Sequence, residues 1–171
     1  MKSVMISIQP KWCELIASGK KIIEVRKTRP KLEPPFKVYI YCSKQKVNGE
    51  ILLTHNKKVE GRNRGFRDTG DIPLAGNVIG EFICDGITWA NGLNFVVKED
   101  AEATLKGTCL TKEEIYNYLG VKSGMSRCDK KTEFYCWHIS NLVIYDKPKK
   151  LSEFGLIRPP QSWCYVKELT K

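Results

Sequence analysis

The sequence of 171 residues predicts an α+β fold: one domain spanning 1–171, built as a small mixed, mainly antiparallel closed sheet with a few peripheral helices. Three observations carry this. Several stretches alternate apolar and polar residues with the period of a strand. One of them, Phe36 to Ser43, is apolar on both faces (Val38, Ile40, Cys42 against Tyr39, Tyr41), as in a strand covered from both sides. Helix signals are few and short, each bounded by its own start and stop.

In chain order, Val4, Ile6 and Ile8 alternate with Ser3, Met5 and Ser7, the pattern of a strand with one buried face. Pro10 follows at the position where a missing N–H costs a helix nothing. Trp12, Leu15 and Ile16, with Cys13 beside them, form an apolar stripe, leaving Lys11, Glu14 and Ser18 on the wet side. Gly19 closes this helix, because a left-handed cap residue is free of strain for glycine. A strand over Ile22 to Lys27 comes next, with Ile23 and Val25 on one face and Ile22, Glu24 and Arg26 on the other. An acid and a base therefore share a face about 7 Å apart along the strand. Lys21, at the turn, is within reach of both.

The pattern Gly19-x-Lys21-x-x-Glu24-x-Arg26, directly after the strand and helix SIQPKWCELIASG, resembles the signature of the ASCH domain, a branch of the PUA-like superfamily. The resemblance implies a PUA-like small β-barrel with helices packed at its openings and a cleft in which nucleotides or RNA bind. It also implies, from acetylcytidine amidohydrolases among the relatives, a catalytic Lys and Thr in this motif and a Glu on a later strand. Lys21 matches the Lys, and Glu81 matches the Glu by strand context. Glu24 occupies the Thr position, so a hydroxyl nucleophile is lacking there.

Pro30 to Pro35 is an extended connector, since each proline biases its predecessor away from helix. After the double-faced strand, a long loop over about 44–76 carries seven basic residues, Arg62 and Arg64 among them, against four acidic ones. Ile51 to Leu53 is a short edge strand within it. The loop is either a basic arm that grips phosphates, with Phe66 available for stacking, or a solvated insertion. Asn77 to Trp89 reads as one strand with Ile79, Glu81 and Ile83 on a core face and Gly80 permitting close backbone approach. A carboxylate in that setting is either a general base or half of an ion pair, with Lys21 or Arg26 as partner.

Residues 90–110 read as irregular or weakly stranded. Thr111 to Leu119 is a helix that covers the sheet: Thr111 and Glu114 form a capping box, Ile115, Tyr118 and Leu119 its apolar stripe, and Gly120 its end. Glu133 to Tyr145 is the longest strand signal, with a bulge expected near Ser140 and Asn141; His138, among its aromatics, reads as a satisfied core residue. Lys149 to Phe154 makes one helical turn, stopped at Gly155. The segment Arg158-Pro-Pro-Gln-Ser-Trp163 then leads stiffly into a last strand, presenting Gln161, Ser162 and Trp163 either to a stacked base or, for Trp163, to the core.

Seven cysteines, an odd number without a CxxC pair, argue against a disulfide framework and a zinc site. They read as reduced thiols in a cytoplasmic protein. No cofactor or metal is implied, and with no apolar run long enough to span a bilayer, no membrane partner. The net charge of +10 attracts polyanions, nucleic acid being the usual one.

The candidate site is thus Lys21, Glu24 and Arg26, with Lys11, Trp12, Lys27, Arg62, Arg64, Gln161, Ser162 and Trp163 as further nucleic-acid contacts. The expected function is binding of RNA, a nucleotide or a nucleoside in a cleft beside the motif. Two alternatives stay open: hydrolysis of a modified nucleoside or of RNA using Lys21, Glu24 and Glu81, and a protein-interaction adaptor related to coactivator domains. Oligomeric state is left open.

Overall fold

A computed structural model of the chain describes residues 2–47, 50–52, 74–91, 101–121 and 132–169. The elements follow in the order β1 (Lys2–Ile8), α1 (Pro10–Ala17), β2 (Ile23–Arg26), β3 (Phe36–Cys42), β4 (Gln45–Val47), β5 (Glu50–Leu52), β6 (Val78–Cys84), β7 (Ile87–Asn91), α2 (Ala101–Thr108), α3 (Lys112–Leu119), β8 (Glu133–His138), β9 (Ser140–Lys149), a 3₁₀ turn (Leu151–Phe154) and β10 (Trp163–Lys167). Five strands form one sheet in the order β10-β1-β3-β6-β9, three form a second in the order β2-β8-β7, and β4 pairs with β5. Among the described residues, all pairings are antiparallel except β1 with β3, whose parallel register requires the crossover through α1 and β2.

The main core lies between the two larger sheets: Val4, Ile6, Val38, Ile40, Ile79 and Phe82 from the five-stranded sheet meet Trp137 of β8, with Cys13 and Ile16 of α1 at one end. The other face of the five-stranded sheet buries Met5, Tyr39, Tyr41 and Val78 beneath Phe154 of the 3₁₀ turn. β1 is therefore buried on both faces, where its alternation predicted one, because a polar Ser3 and an apolar Met5 share a covered side. The second sheet buries Ile23, Val25, Phe134 and Cys136 beneath Ile115 and Leu119 of α3.

Where the sequence suggested continuous strands, the chain changes sheets. Asn77 to Trp89 divides at Asp85 and Gly86 into β6 and β7, and Glu133 to Tyr145 divides at Ile139 into β8 and β9, with Asn141 in a left-handed conformation (φ 47°). Residues 101–108, expected to be irregular, form α2. β2 begins at Ile23, and Ile22 stands exposed outside it.

A bulge in β6 decides the fate of Glu81. Val78 faces Tyr41 but Gly80 faces Ile40, so Ile79 is the extra residue and side chains after it exchange faces. Ile79 and Phe82, three positions apart, thereby enter the same core. Glu81 falls instead opposite Tyr39 on the other side of the sheet.

No helix among the described residues is long and apolar enough to cross a membrane.

Candidate functional site

Gly19, at φ 72°, turns the chain back after α1, and the backbone N–H groups of Lys20 and Lys21 both donate to the Leu15 carbonyl. This aims the Lys21 side chain into the barrel mouth. On β2, the pleat sends Ile23 and Val25 under α3 and leaves Glu24 and Arg26 facing the same way as Trp137, the strand neighbour of Glu24. The three charged side chains converge. Lys21 Nζ lies 3.4 Å from Glu24 Oε2, and Arg26 Nη2 lies 3.0 Å from Glu24 Oε1.

Each cation has a second anchor. Lys21 Nζ donates to the carbonyl of Thr108, the last residue of α2, at 2.6 Å. There the negative end of the helix dipole favours an ammonium. Arg26 Nη2 donates to the Ser7 carbonyl at 2.7 Å, and Nη1 reaches Ser162 Oγ at 3.5 Å. Ser7 in turn holds the proline-stiffened segment: its N–H donates to the Ser162 carbonyl and its hydroxyl to the Pro160 carbonyl.

Lys21, Glu24 and Arg26 are only 2%, 7% and 8% exposed, yet all three line an open cleft of about 1150 Å³. Trp12, Lys27, Gln161 and Ser162 line the same cleft. Lys11 is not among the lining residues, but its Nζ lies 4.3 Å from the ring centre of Trp12 and 3.5 Å from Glu114 Oε1, two residues that are.

Other expected residues lie elsewhere. Glu81, expected near Lys21, pairs with Lys37 at 3.2 Å and accepts a 2.5 Å hydrogen bond from the Tyr145 hydroxyl; it does not line the cleft. A joint action of Lys21 and Glu81 is therefore not provided for by this geometry. Trp163 packs against Trp137 and Tyr165 and donates from its indole N–H to Thr28 Oγ1 at 2.9 Å, outside the cleft lining. Arg62, Arg64 and Phe66 lie outside the described residues.

Reading the sequence alone missed the contribution of α3. Glu114, Asn117 and Tyr118 line the wall facing β2. Glu114 is both the capping-box partner of Thr111 and the ion-pair partner of Lys11, and the Thr111 N–H at its carboxylate holds its pKa below the ordinary value. Tyr118 was assigned to the apolar stripe. Burial raises the pKa of its phenol, and Lys27 Nζ sits 5.1 Å from its ring centre. A tyrosine one turn after a capping Glu was the available signal.

A PUA-like barrel with two buried cations and one carboxylate at its mouth defines the class. The chain belongs to the ASCH domain family, whose model matches residues 6–142. The crystal structure of ASCH from Zymomonas mobilis aligns with a TM-score of 0.61 at 16% identity, covering 97% of this chain and 88% of that one. Two point variants of the same Zymomonas mobilis protein align alike, with TM-scores of 0.61 and 0.60 at 16% and 15% identity, over 98% and 97% of this chain and 92% and 89% of theirs. No curated protein matches the chain. Family membership supports a generic RNA- or nucleotide-binding or hydrolase-like role.

Proposed function

We propose that this protein binds an unpaired nucleotide of RNA in the cleft beside the Gly19-x-Lys21-x-x-Glu24-x-Arg26 motif. The observation that carries the reading is the convergence of Lys21, Glu24 and Arg26, nearly buried, on one wall of a hollow large enough for a nucleotide. Both oxygens of Glu24 are engaged by the cations, so Glu24 holds them in place. Lys21 and Arg26 then offer their remaining N–H donors to ligand oxygens. Trp12 supplies an aromatic face to a base, and the excess of basic residues over the whole chain draws in the phosphates that follow.

The test is fluorescence anisotropy with a labelled single-stranded oligoribonucleotide at about 50 and 200 mM salt. Binding that weakens steeply with salt, and that falls roughly tenfold in Trp12→Ala, is the expected result. Undiminished binding in both Trp12→Ala and Arg26→Lys would place the RNA elsewhere and overturn the reading.

A further inference from the structure

The floor of the cleft holds two cations and one carboxylate, all less than a tenth exposed. A buried charge without a counter-charge is costly, and a ligand that brings the missing negative charge relieves that cost. The unused hydrogen-bonding capacity points the same way. Lys21 spends N–H groups on Thr108 and Glu24, and an ammonium has three. Arg26 uses Nη2 fully, has only the long contact from Nη1 to Ser162, and its buried Nε has no partner among the described residues. The cations at the floor thus have donors to spare, which suits a ligand tip made of acceptors.

Shape narrows the choice. Lys21, Glu24 and Arg26 are each under a tenth exposed, so the ligand atoms that reach them belong to a protruding group, which a terminal phosphate is and an internal phosphodiester, flanked by a ribose on either side, is not. A phosphate monoester is a tip, and it carries close to two negative charges at neutral pH, of which the uncompensated cation of the floor meets one and Lys27 and Lys44, on the same cleft lining, stand to meet the other. Above the floor, Trp12 on α1 and Tyr118 on α3 contribute aromatic surface to the same cleft. Lys27 Nζ lies 5.1 Å from the Tyr118 ring centre, so the ring stands beside a cation just past β2.

We propose that the cleft receives a nucleotide by its terminal phosphate monoester, with the phosphate against Lys21 and Arg26 and the base against Trp12 and Tyr118. This rests on the nucleotide-binding reading above and names the end of the ligand that enters. The residue that sets base affinity is Tyr118, outside the family motif.

The experiment is calorimetric titration of the intact protein with the 5′- and 3′-monophosphates of the four nucleosides, the parent nucleosides, and ribose 5-phosphate. At least one monophosphate should bind about thirtyfold or more tighter than its nucleoside, the scale of a charge-assisted pair of contacts. Tyr118→Ala should weaken that monophosphate roughly tenfold while leaving ribose 5-phosphate unchanged. The comparison on the wild-type protein needs no variant to fold, and Tyr118 lies on a partly exposed helix face. Equal affinity for nucleoside and monophosphate would overturn the terminal-phosphate proposal and leave nucleotide binding standing. Failure of monophosphates to displace an oligoribonucleotide that does bind would overturn it too. If neither RNA nor any monophosphate binds, both readings fall together.

Discussion

Lys21 and Thr108 lie 87 positions apart in the chain, and the Lys21 ammonium donates to the Thr108 carbonyl at 2.6 Å. The bond ties the start of the motif to the end of α2. Beside it the Ile22 N–H donates to the Gly107 carbonyl at 3.0 Å, so the same helix end takes two bonds from one turn. The cation proposed to meet the ligand is thereby also a structural one.

Replacing Lys21 by Met keeps the length of the side chain and removes the charge. The Thr108 carbonyl loses its donor and Glu24 one of its two cations. Urea denaturation should show a loss of about 1–3 kcal/mol, the cost of an unsatisfied buried acceptor. RNA affinity should fall at the same time. Unchanged stability would mean that water replaces the ammonium fully.

Glu24→Gln removes the carboxylate between two nearly buried cations. Breaking a buried pair from one side leaves uncompensated charge, so a destabilisation of about 3–5 kcal/mol is expected. The measurement is the shift in denaturation midpoint at constant slope. A variant of wild-type stability with altered ligand preference would instead make Glu24 a reader of the ligand.

Gly80→Ala tests the bulge that turns Glu81 away. A Cβ at position 80 would collide with the Val143 carbonyl oxygen and press on Ile144 of β9. The overpacking should cost about 1–3 kcal/mol without affecting ligand binding, since neither β6 nor β9 lines the cleft.

Thiol reactivity separates the buried cysteines from the rest. Burial pushes the Cys84 and Cys136 thiols up to about 12 and raises Cys13 well above its ordinary value. Only the thiolate attacks, so with iodoacetamide at about pH 8 these three should stay unmodified until denaturant is added. Among the described cysteines, Cys109 and Cys164 are the partly exposed ones, and Cys109 should be modified first. Peptide mapping by mass spectrometry reads the order.

What could be read from the sequence was what local chemistry dictates. The strand, proline-started helix, glycine stop and second strand from residue 2 to 26 occur in the order the pattern indicated, although β1 is covered on both faces and β2 begins at Ile23; the capping box of Thr111 and Glu114 and the glycine stop at Gly155 stand as well. What escaped depends on distant partners. α2 contains Thr104, Gly107 and Thr108, poor helix formers, and its C-terminal end is held from outside by Lys21 and Ile22. Gly107 packs directly under the Ile22 and Ile23 side chains, a fit no periodicity reveals. The extra residue at Ile79 reverses the faces of β6, and alternation alone placed Glu81 in the core. At the candidate site, the motif cations and the Gln161 and Ser162 loop were legible as cleft-lining residues because motif and prolines mark them. Tyr118 was missed because an aromatic on an apolar stripe has the same spacing whether it faces a core or a cleft.

The most direct test is a crystal structure of the protein with a bound single-stranded oligoribonucleotide. A nucleotide lying between Trp12 and Tyr118, with an oxygen in hydrogen-bond contact with Lys21 or Arg26, is the expected result. RNA spread over the outer surface while solvent alone fills the space above Lys21, Glu24 and Arg26 would contradict it.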